Sequence, residues 1–280
     1  VNGVYTHTAP VDAYRGAGRP EAIYLVERLM DHAAAELGID RLEFRRINFV
    51  TPDMMPYTAA HDEVTYDTGN FDYVMNATLE KADWDGFEAR RAEAAKQGKR
   101  RGIGLCYYIE STLGNPEEST AVSFDEGVLS FTVGTQSNGQ GHETAFAQAM
   151  AGRLGVPMAQ IKMIQGDTDA IPTGGGTGGS RSMVAQVTAI NGVSDKIIET
   201  AKTLAAADWD VSADEMRFDD GILSAEGTNR TTTILQIASE HPGKLDDQIT
   251  TKLKDNSYPN GCHIAEVEVD PDTGETEIVK

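Results

Sequence analysis

Cysteine is almost absent from this sequence, which contains only Cys106 and Cys262 among its 280 residues. Neither belongs to a C-x-x-C pair, so the sequence indicates neither a structural zinc site nor an iron–sulfur cluster within the chain. We assign no residue as a metal ligand. Two distant thiols are typical of a reducing compartment in which thiols stay free, and we expect a cytoplasmic protein. A disulfide between the two cysteines is the open alternative.

Basic residues are scarce beside acidic ones: 24 Lys and Arg stand against 44 Asp and Glu, a formal net charge of −20. Such a surface repels polyanions, so binding to nucleic acid or to an anionic membrane through diffuse positive charge is disfavoured. We attribute the acidity to solubility. No apolar run approaches the ~20 residues of a membrane-spanning helix. Residues 1–10 lack both a basic and an apolar segment, so we expect neither a secretory signal nor membrane insertion.

The pattern of apolar residues predicts an α+β fold. Hydrophobic residues make up 40% of the chain and charged residues 24%, as in soluble globular domains. Helical spacing predicts helices over 20–37, 42–48, 71–82, 85–96, 143–154, 182–205 and one capped by threonines 231–233. Alternation predicts strands over 102–110, 121–124, 128–133, 216–218, 221–224, 249–253, 261–269 and from 275 onward. Because these elements come in clusters, we expect mixed sheets with packed helices rather than a doubly wound parallel sheet.

Two features of this pattern carry further expectations. In the first helix one face is predicted to lie in the core, and its residues are Ile23, Val26, Leu29, Met30, Ala33 and Leu37. The chain is predicted to divide into a mostly helical part, residues 1–100, and a second α+β part, residues 101–280. Since residues 275–280 begin the return strand of a hairpin, and natural chains seldom stop inside a strand, we expect the second part to be truncated at its C-terminus.

The first of three unusual loops is loop A, residues 13–20, which reads Ala-Tyr-Arg-Gly-Ala-Gly-Arg-Pro. Small flexible residues lie between Arg15 and Arg19, directly before a helix. Exposed backbone N–H groups, the positive end of the helix and the guanidinium groups together make an anion site. An ordinary glycine-rich turn with surface arginines is the alternative interpretation.

Loop B, residues 134–143, runs from the end of a predicted strand into a helix. Its glycines let a planar ligand approach the main chain, and Gln140 can both donate and accept hydrogen bonds at a pterin-like amide edge. The loop does not match G-x-G-x-x-G, so a Rossmann dinucleotide site is the weaker interpretation. A zinc protease helix is excluded because Phe146 stands where that motif needs its second histidine.

Loop C, residues 166–182, is the richest in glycine and also enters a long helix. Each glycine costs folding entropy, on the order of 0.5–1 kcal/mol relative to alanine in regular structure, and a bound ligand would offset that cost. Ser180, Ser182 and the free N–H groups of the helix start, with Arg181 beside them, suit a phosphate or a metal-oxo anion. The alternative is a flexible linker.

In order and separation the three loops resemble the molybdopterin-binding region of the xanthine dehydrogenase, aldehyde oxidase and carbon monoxide dehydrogenase large-subunit family. The resemblance covers essentially all 280 residues. Within that family, the Ala-Tyr-Arg-Gly-Ala-Gly-Arg motif is similar to the hydroxylase-like second group of the carbon monoxide dehydrogenase branch. True carbon monoxide dehydrogenases have a copper-binding cysteine where Gly16 stands, so the resemblance implies that a molybdenum–copper site is absent here.

The resemblance implies roles for individual residues of each loop. In loop A, Arg15 and Gly16 would lie beside the molybdenum centre as the catalytic positions, and the cofactor contacts would also include Ala13, Ala17 and Gly18. Loop B would hold the pterin through Asn138, Gly139, Gln140 and Gly141. Loop C would contribute main-chain and serine contacts from Gly178, Gly179, Ser180, Arg181, Ser182 and Met183. The family's general-base glutamate belongs to a Gly-Glu motif outside this chain, and none of Glu110, Glu143 and Glu266 fits it.

The resemblance also implies an activity. Family members hydroxylate an aldehyde or an N-heterocycle with water and pass two electrons to iron–sulfur clusters and flavin. The implied cofactor is molybdopterin, or molybdopterin cytosine dinucleotide, with molybdenum. The implied partners are a small-molecule substrate, FAD-binding and iron–sulfur subunits, and a second copy of the complete complex.

The sequence also predicts what the isolated chain would do. Because neither the Gly-Glu motif nor the family's upstream glycine-rich loop lies in the chain, we expect it to retain the cofactor weakly and to be inactive alone. Two alternatives stay open at this point. One is a non-catalytic binding or assembly module with the same fold, and the other is a nucleotide-binding enzyme that uses the glycine-rich loops for phosphate.

Overall fold

The computed structural model describes residues 7–9, 14–59, 64–112, 114–171 and 173–280. The helices of these residues are α1 (Arg19–Leu37), α2 (Arg41–Asn48), α3 (Phe71–Ala82), α4 (Phe87–Lys96), α5 (His142–Leu154), α6 (Ser182–Trp209) and α7 (Ile234–Glu240). The strands are β1 (Tyr57–Thr58), β2 (Thr65–Tyr66), β3 (Arg100–Ile109), β4 (Glu117–Asp125), β5 (Val128–Thr132), β6 (Ile161–Ile164), β7 (Met216–Asp219), β8 (Ile222–Ala225), β9 (Thr231–Thr233), β10 (Asp247–Lys252), β11 (Asn260–Val269) and β12 (Thr276–Ile278). No helix of the described residues is long and apolar enough to cross a membrane.

The chain forms two compact units. The first combines Val1–Glu110 with Ser257–Lys280, and the second is Ser111–Asn256. In the first unit β3, β11 and β12 make an antiparallel sheet in the order β12-β11-β3, and α3 and α4 pack on it. A small core there contains Leu42, Met75 and Leu105.

The second unit is built on a four-stranded sheet in the order β10-β4-β5-β6. Its first three strands are antiparallel, but β5 and β6 run parallel, with Leu129 opposite Ile161. Helix α5 connects those two strands, and α6 packs on α5, β4 and β10. Large apolar side chains from sheet and helices fill the core, and the fully buried ones include Leu129, Phe131, Phe146, Met150, Ile190 and Ile197.

The predicted α+β class is confirmed, and so are the elements on which it was based. Helix α3 has the predicted bounds because Asn70 accepts a hydrogen bond from the N–H of Tyr73 at its start and Asp83 ends it in a left-handed conformation. The prediction missed β6, a strand of only four residues. The parallel pairing of β5 with β6 was missed with it.

Helix α1 corrects one expectation. Its bounds are confirmed, but Val26, Leu29 and Leu37, which we predicted to lie in the core, are 56%, 67% and 64% exposed. Of the residues in this helix only Ala34 is buried. Helical periodicity identifies an apolar face, but it does not say whether the chain itself supplies the surface that covers it.

The two compact units divide the chain after residues 110 and 256. The first unit continues to residue 110 and takes back residues 257–280, because β11 pairs along its whole length with β3. The division into one domain of residues 1–100 and another of residues 101–280 stays a prediction. The predicted hairpin return is present, with β12 pairing antiparallel to β11.

Cys106 and Cys262 are both free thiols. They lie on neighbouring strands, but Cys106 stands opposite His263 and Cys262 stands opposite Tyr107. Because successive residues of a strand face opposite sides of the sheet, the two sulfur atoms lie on different faces and cannot form a disulfide. Burial raises the pKa of both thiols, and that of Cys262 to about 11.

We therefore expect both thiols to react slowly with Ellman's reagent in the native chain. At pH 8 a thiol of pKa about 11 is roughly 0.1% thiolate, so its reaction should be about a hundredfold slower than in the unfolded chain. Absorbance of the released thiolate measures the rate, and the chain in denaturant is the control. Rapid release of two equivalents from native protein would contradict this.

Candidate functional site

Loops B and C meet at one edge of the sheet of the second unit. Loop B follows β5 and loop C follows β6, and the carboxyl ends of these parallel strands share an edge. The N–H of Gly176 donates to the carbonyl of Gly134 at 3.1 Å, and the N–H of Gln136 donates to Thr177 Oγ1 at 3.1 Å. These contacts bring together two of the three loops that the sequence singled out.

The two loops touch through bare main chain. A Cβ built on Gly134 would lie 2.9 Å from Cα of Gly174, and a Cβ on Gly174 would lie 2.6 Å from the carbonyl oxygen of Gly134. Only glycine fits at either position, because distances this short would force the backbones apart. Farther out in loop B, a Cβ on Gly139 or Gly141 would meet nothing within 4 Å. The crossing point is therefore closed to side chains, while the tip of loop B leaves open space for a ligand.

A buried ion pair lies beneath this crossing. Arg181 and Glu118 are each 2% exposed, and their side chains approach to 3.0 Å. The same guanidinium donates to the carbonyls of Asn115, Glu117 and Gly176. The positive charge that we expected to face an anion is thus already balanced by a carboxylate. A cofactor contact of Arg181 stays a prediction, and its main chain is the part left to make it.

In loop B the amide of Gln140 is folded onto its own loop. Its oxygen accepts a hydrogen bond from the N–H of Asn138, and its nitrogen donates to the carbonyl of Gln136 at 3.5 Å. The side chains of Gln140 and Asn138 are exposed, and Gly139 and Gly141 both have positive φ. Gln140 can therefore exchange these internal bonds for bonds to a ligand without leaving the loop.

The helices that follow the loops begin without a side-chain cap. The N-cap positions are Gly18 in α1, Gly141 in α5 and Arg181 in α6, and none makes a capping hydrogen bond through a side chain; the same holds for α4. By contrast, Asp40 caps α2 and Thr233 caps α7. At the start of α5 the N–H of Glu143 is bonded by its own carboxylate, and that of Thr144 donates to the carbonyl of Gly141 at 3.2 Å. The start of α6 is therefore the helix end that most favours an anionic ligand at the loop edge.

Loop C presents its residues unequally. Gly178, Gly179 and Ser180 are exposed, with φ of 64° at Gly179 and 59° at Ser180. Ser182 is only 8% exposed, whereas Met183 is 50% exposed. The exposed part of the loop can contact a ligand directly, while Ser182 faces the interior of the second unit.

Loop A lies in the first unit and is tightly turned. Arg15, Gly16, Ala17 and Gly18 all have positive φ, between 26° and 92°. Such a run is costly for arginine and alanine, and strained backbone of this kind clusters at ligand sites. Within the described part of the chain, no carboxylate pairs with the exposed Arg15. Ala13 lies outside the described residues.

The glutamates that failed the family motif all have partners. Glu110 pairs with Arg19 at 3.1 Å, and buried Glu266 pairs with Arg90. The pKa of Glu143 is lowered, first by its own backbone N–H at the start of α5 and also by a hydrogen bond from Gln165. All three carboxylates are therefore engaged by groups of the described chain.

Sequence reasoning gave no role to three buried polar residues, Thr135 and His142 of loop B and Gln186 of α6. Thr135 and His142 are buried, with Oγ1 of Thr135 3.5 Å from Nδ1 of His142, and burial lowers the pKa of His142. Gln186 is fully buried in α6 and shares the spacing of the core residues Ile190 and Val193. A polar residue at a core position of an apolar helix face is the signal that could have identified it.

Known proteins are similar to this chain over nearly its whole length. Family models described as molybdopterin cofactor-binding domain match residues 77–280 and residues 1–49. The gamma subunit of the 6-hydroxypseudooxynicotine dehydrogenase complex of Paenarthrobacter nicotinovorans is 29% identical over 296 residues, covering 100% of this chain and 37% of that protein. The carbon monoxide dehydrogenase large chain of Hydrogenophaga pseudoflava is 31% identical over 304 residues, covering 99% and 38%.

A solved structure is similar over almost the whole chain. Quinoline 2-oxidoreductase from Pseudomonas putida 86 superposes with a TM-score of 0.85 at 29% identity, covering 96% of this chain and 37% of that chain. The present chain therefore spans little more than a third of the length of these relatives.

Proposed function

Because the chain belongs to the molybdopterin cofactor-binding domain family, whose model matches residues 77–280, we propose that it is the cofactor-binding part of a molybdenum hydroxylase large subunit. The observation that carries this proposal is the meeting of loops B and C at the carboxyl ends of β5 and β6, between the uncapped starts of α5 and α6. Main-chain donors concentrated at such an edge suit an anionic ligand.

The residues present fit a pterin cofactor. Gly139 and Gly141 leave the space above loop B open, whereas any other residue at these positions would place a side chain in it. Gln140 offers an amide that can pair with the amide edge of a pterin. Asn138–Gly141 would hold the pterin, and residues 178–183 would bind its oxygen-rich end through main-chain N–H groups. Arg15 and Gly16 beside the metal, with Ala13, Ala17 and Gly18, are part of the same proposal. Whether loop A meets loops B and C stays a prediction.

The chemistry would come chiefly from the cofactor. When bound, the molybdenum cofactor supplies two-electron oxidation, which such enzymes use to hydroxylate a carbon with oxygen from water. The task of this chain is to bind and orient the cofactor and to exclude water from its buried face. We expect the 280 residues alone to be inactive, since the curated relatives are more than twice as long.

Partners are proposed from the names of the relatives. One is called a subunit of a dehydrogenase complex and another a large chain. We propose that the full protein passes electrons to iron–sulfur and FAD-binding subunits, works on a small aldehyde or N-heterocycle in the cytoplasm, and forms a dimer of the complete complex. A cytosine dinucleotide form of the pterin belongs to this proposal. Neither a nucleotide-binding enzyme nor a non-catalytic module is favoured by any feature of the described residues.

The test is the composition of the full-length gene product purified with its partner subunits. We expect molybdenum, measured by elemental analysis, and pterin, measured by fluorescence, in amounts equimolar with the large subunit. The same complex from a host that cannot make the cofactor is the control. Absence of both from the normal host would refute the proposed function, and heat on calorimetric titration with ATP, NAD or FAD would favour a nucleotide site instead.

A further inference from the structure

Gln186 is a buried amide without a partner. It is 0% exposed, and neither its side-chain nitrogen nor its side-chain oxygen has a hydrogen bond to any described residue. Buried polar atoms in folded proteins are nearly always hydrogen-bonded, because an unpaired one loses its bonds to water and gains nothing in return. A glutamine in this position therefore lowers the stability of the chain as described, and a compensating role is expected.

The register of two helices places Gln186 beneath the loops. Helices α5 and α6 both begin at the carboxyl edge of β5, since α5 follows that strand and Arg181, at the start of α6, pairs with Glu118 at the start of the antiparallel β4. They run side by side from there, with Ser194 Oγ donating to Met150 Sδ at 3.7 Å and Arg153 pairing with Asp195. Because both helices rise by the same distance per residue, Gln186 lies at the level of His142, the first residue of α5.

The direction of the Gln186 side chain also places its amide beneath loops B and C. Side chains of an α-helix lean toward its N-terminus, so the amide of Gln186 extends toward the stems of loops B and C. At the stem of loop B, Thr135 is buried beside His142. An unpaired donor and an unpaired acceptor thus lie under the main chain that carries the proposed pterin contacts.

We infer that Gln186 is a positioning residue for the cofactor, and this inference rests on the proposed function. Its amide hydrogen-bonds the main chain at the stems of loops B and C in their ligand-bound arrangement and thereby fixes the contacts that residues 138–141 and 178–183 make. Full burial keeps Gln186 itself off the cofactor, so it acts through the loops. We expect these bonds to be missing when the cofactor is not bound.

This role predicts opposite effects in the two forms of the full-length complex. The variant Gln186→Met keeps the side-chain volume and removes both polar atoms. In the cofactor-free form, made in a host lacking cofactor synthesis, we expect Tm to rise by about 2–4 °C, because no unpaired amide remains. In the loaded form we expect molybdenum to be lost about tenfold faster during dialysis, as the loss of two hydrogen bonds implies.

The matched control is Ser194→Ala, a second fully buried polar residue on the same helix, two turns farther from the loops and partnered by Met150. It should leave the rate of molybdenum loss unchanged. A Gln186→Met protein that does not fold, or that loses stability without cofactor and retains molybdenum as the wild type does, would overturn the inference. If the wild-type complex contains no molybdenum or pterin, the proposed function fails instead.

Discussion

Replacing Arg181 with methionine should lower the free energy of unfolding of the second unit by about 3–5 kcal/mol, because the variant leaves the carboxylate of Glu118 buried and unpaired. The lost guanidinium also leaves three carbonyl groups without a donor. Urea unfolding followed by tryptophan fluorescence measures the change. In a Trp84→Phe background the signal comes from Trp209, which lies at the end of α6 in the second unit.

The control is Arg217→Met, which removes an equally charged side chain from an exposed pair. Arg217 and Glu226 lie 2.8 Å apart but are 56% and 57% exposed, so the change should stay within about 0.5 kcal/mol. The double variant Arg181→Met with Glu118→Leu should recover much of the stability, because two apolar groups replace the pair. A loss below about 1 kcal/mol in Arg181→Met would mean that Glu118 finds another partner or reaches water.

The pairing of Arg181 with Glu118 explains why the sequence predicted a different role for Arg181, as a contact of an anionic ligand. An arginine between serines at the start of a helix has the local composition of an anion site, and the helix start around it has no side-chain cap. The partner of its charge, Glu118, is 63 residues earlier in the chain. Nothing local to either residue predicts that pairing, because it depends on how β4 and loop C come together.

The elements of the fold also differ in whether local sequence signals predict them. Caps and periodicity are local signals, so the helices and the β4–β5 hairpin could be predicted closely. The strand β6 has only four residues and gains its identity by pairing with β5 across α5. Since that parallel pair creates the edge where loops B and C meet, the sequence predicted the loops but not the element that brings them together.

The exposure of α1 is a second case in which a local signal does not predict a long-range contact. Its amphipathic pattern predicted an apolar face correctly, yet burial depends on residues that the pattern does not contain. The buried Gln186 is the complementary case, a polar residue at core spacing. The apolar face of α1 lacks a covering surface, and the amide of Gln186 lacks a hydrogen-bond partner, within the described chain. Such departures from the local pattern are expected at functional sites and interfaces.

Gly134→Ala is the change that should most directly separate the two cofactor loops. Its Cβ would lie 2.9 Å from Cα of Gly174 and would also press on the buried carboxylate of Glu118. We expect the free energy of unfolding to fall by about 1–3 kcal/mol, the usual cost of overpacking. Because the loops must move apart to accept the methyl group, the molybdenum content of the full-length complex should fall at least about tenfold, as measured by elemental analysis.

The matched control is Gly152→Ala, the same chemical change in the exposed part of α5, where an added Cβ meets nothing within 4 Å. There the methyl group should raise stability by about 0.5–1 kcal/mol, since alanine loses less backbone entropy in a helix, and cofactor content should not change. If Gly134→Ala keeps its molybdenum while it loses stability, the crossing of the loops serves the fold alone. If Gly134→Ala loses molybdenum and Gly152→Ala does not, the main-chain contact between Gly134 and Gly174 is required for cofactor binding.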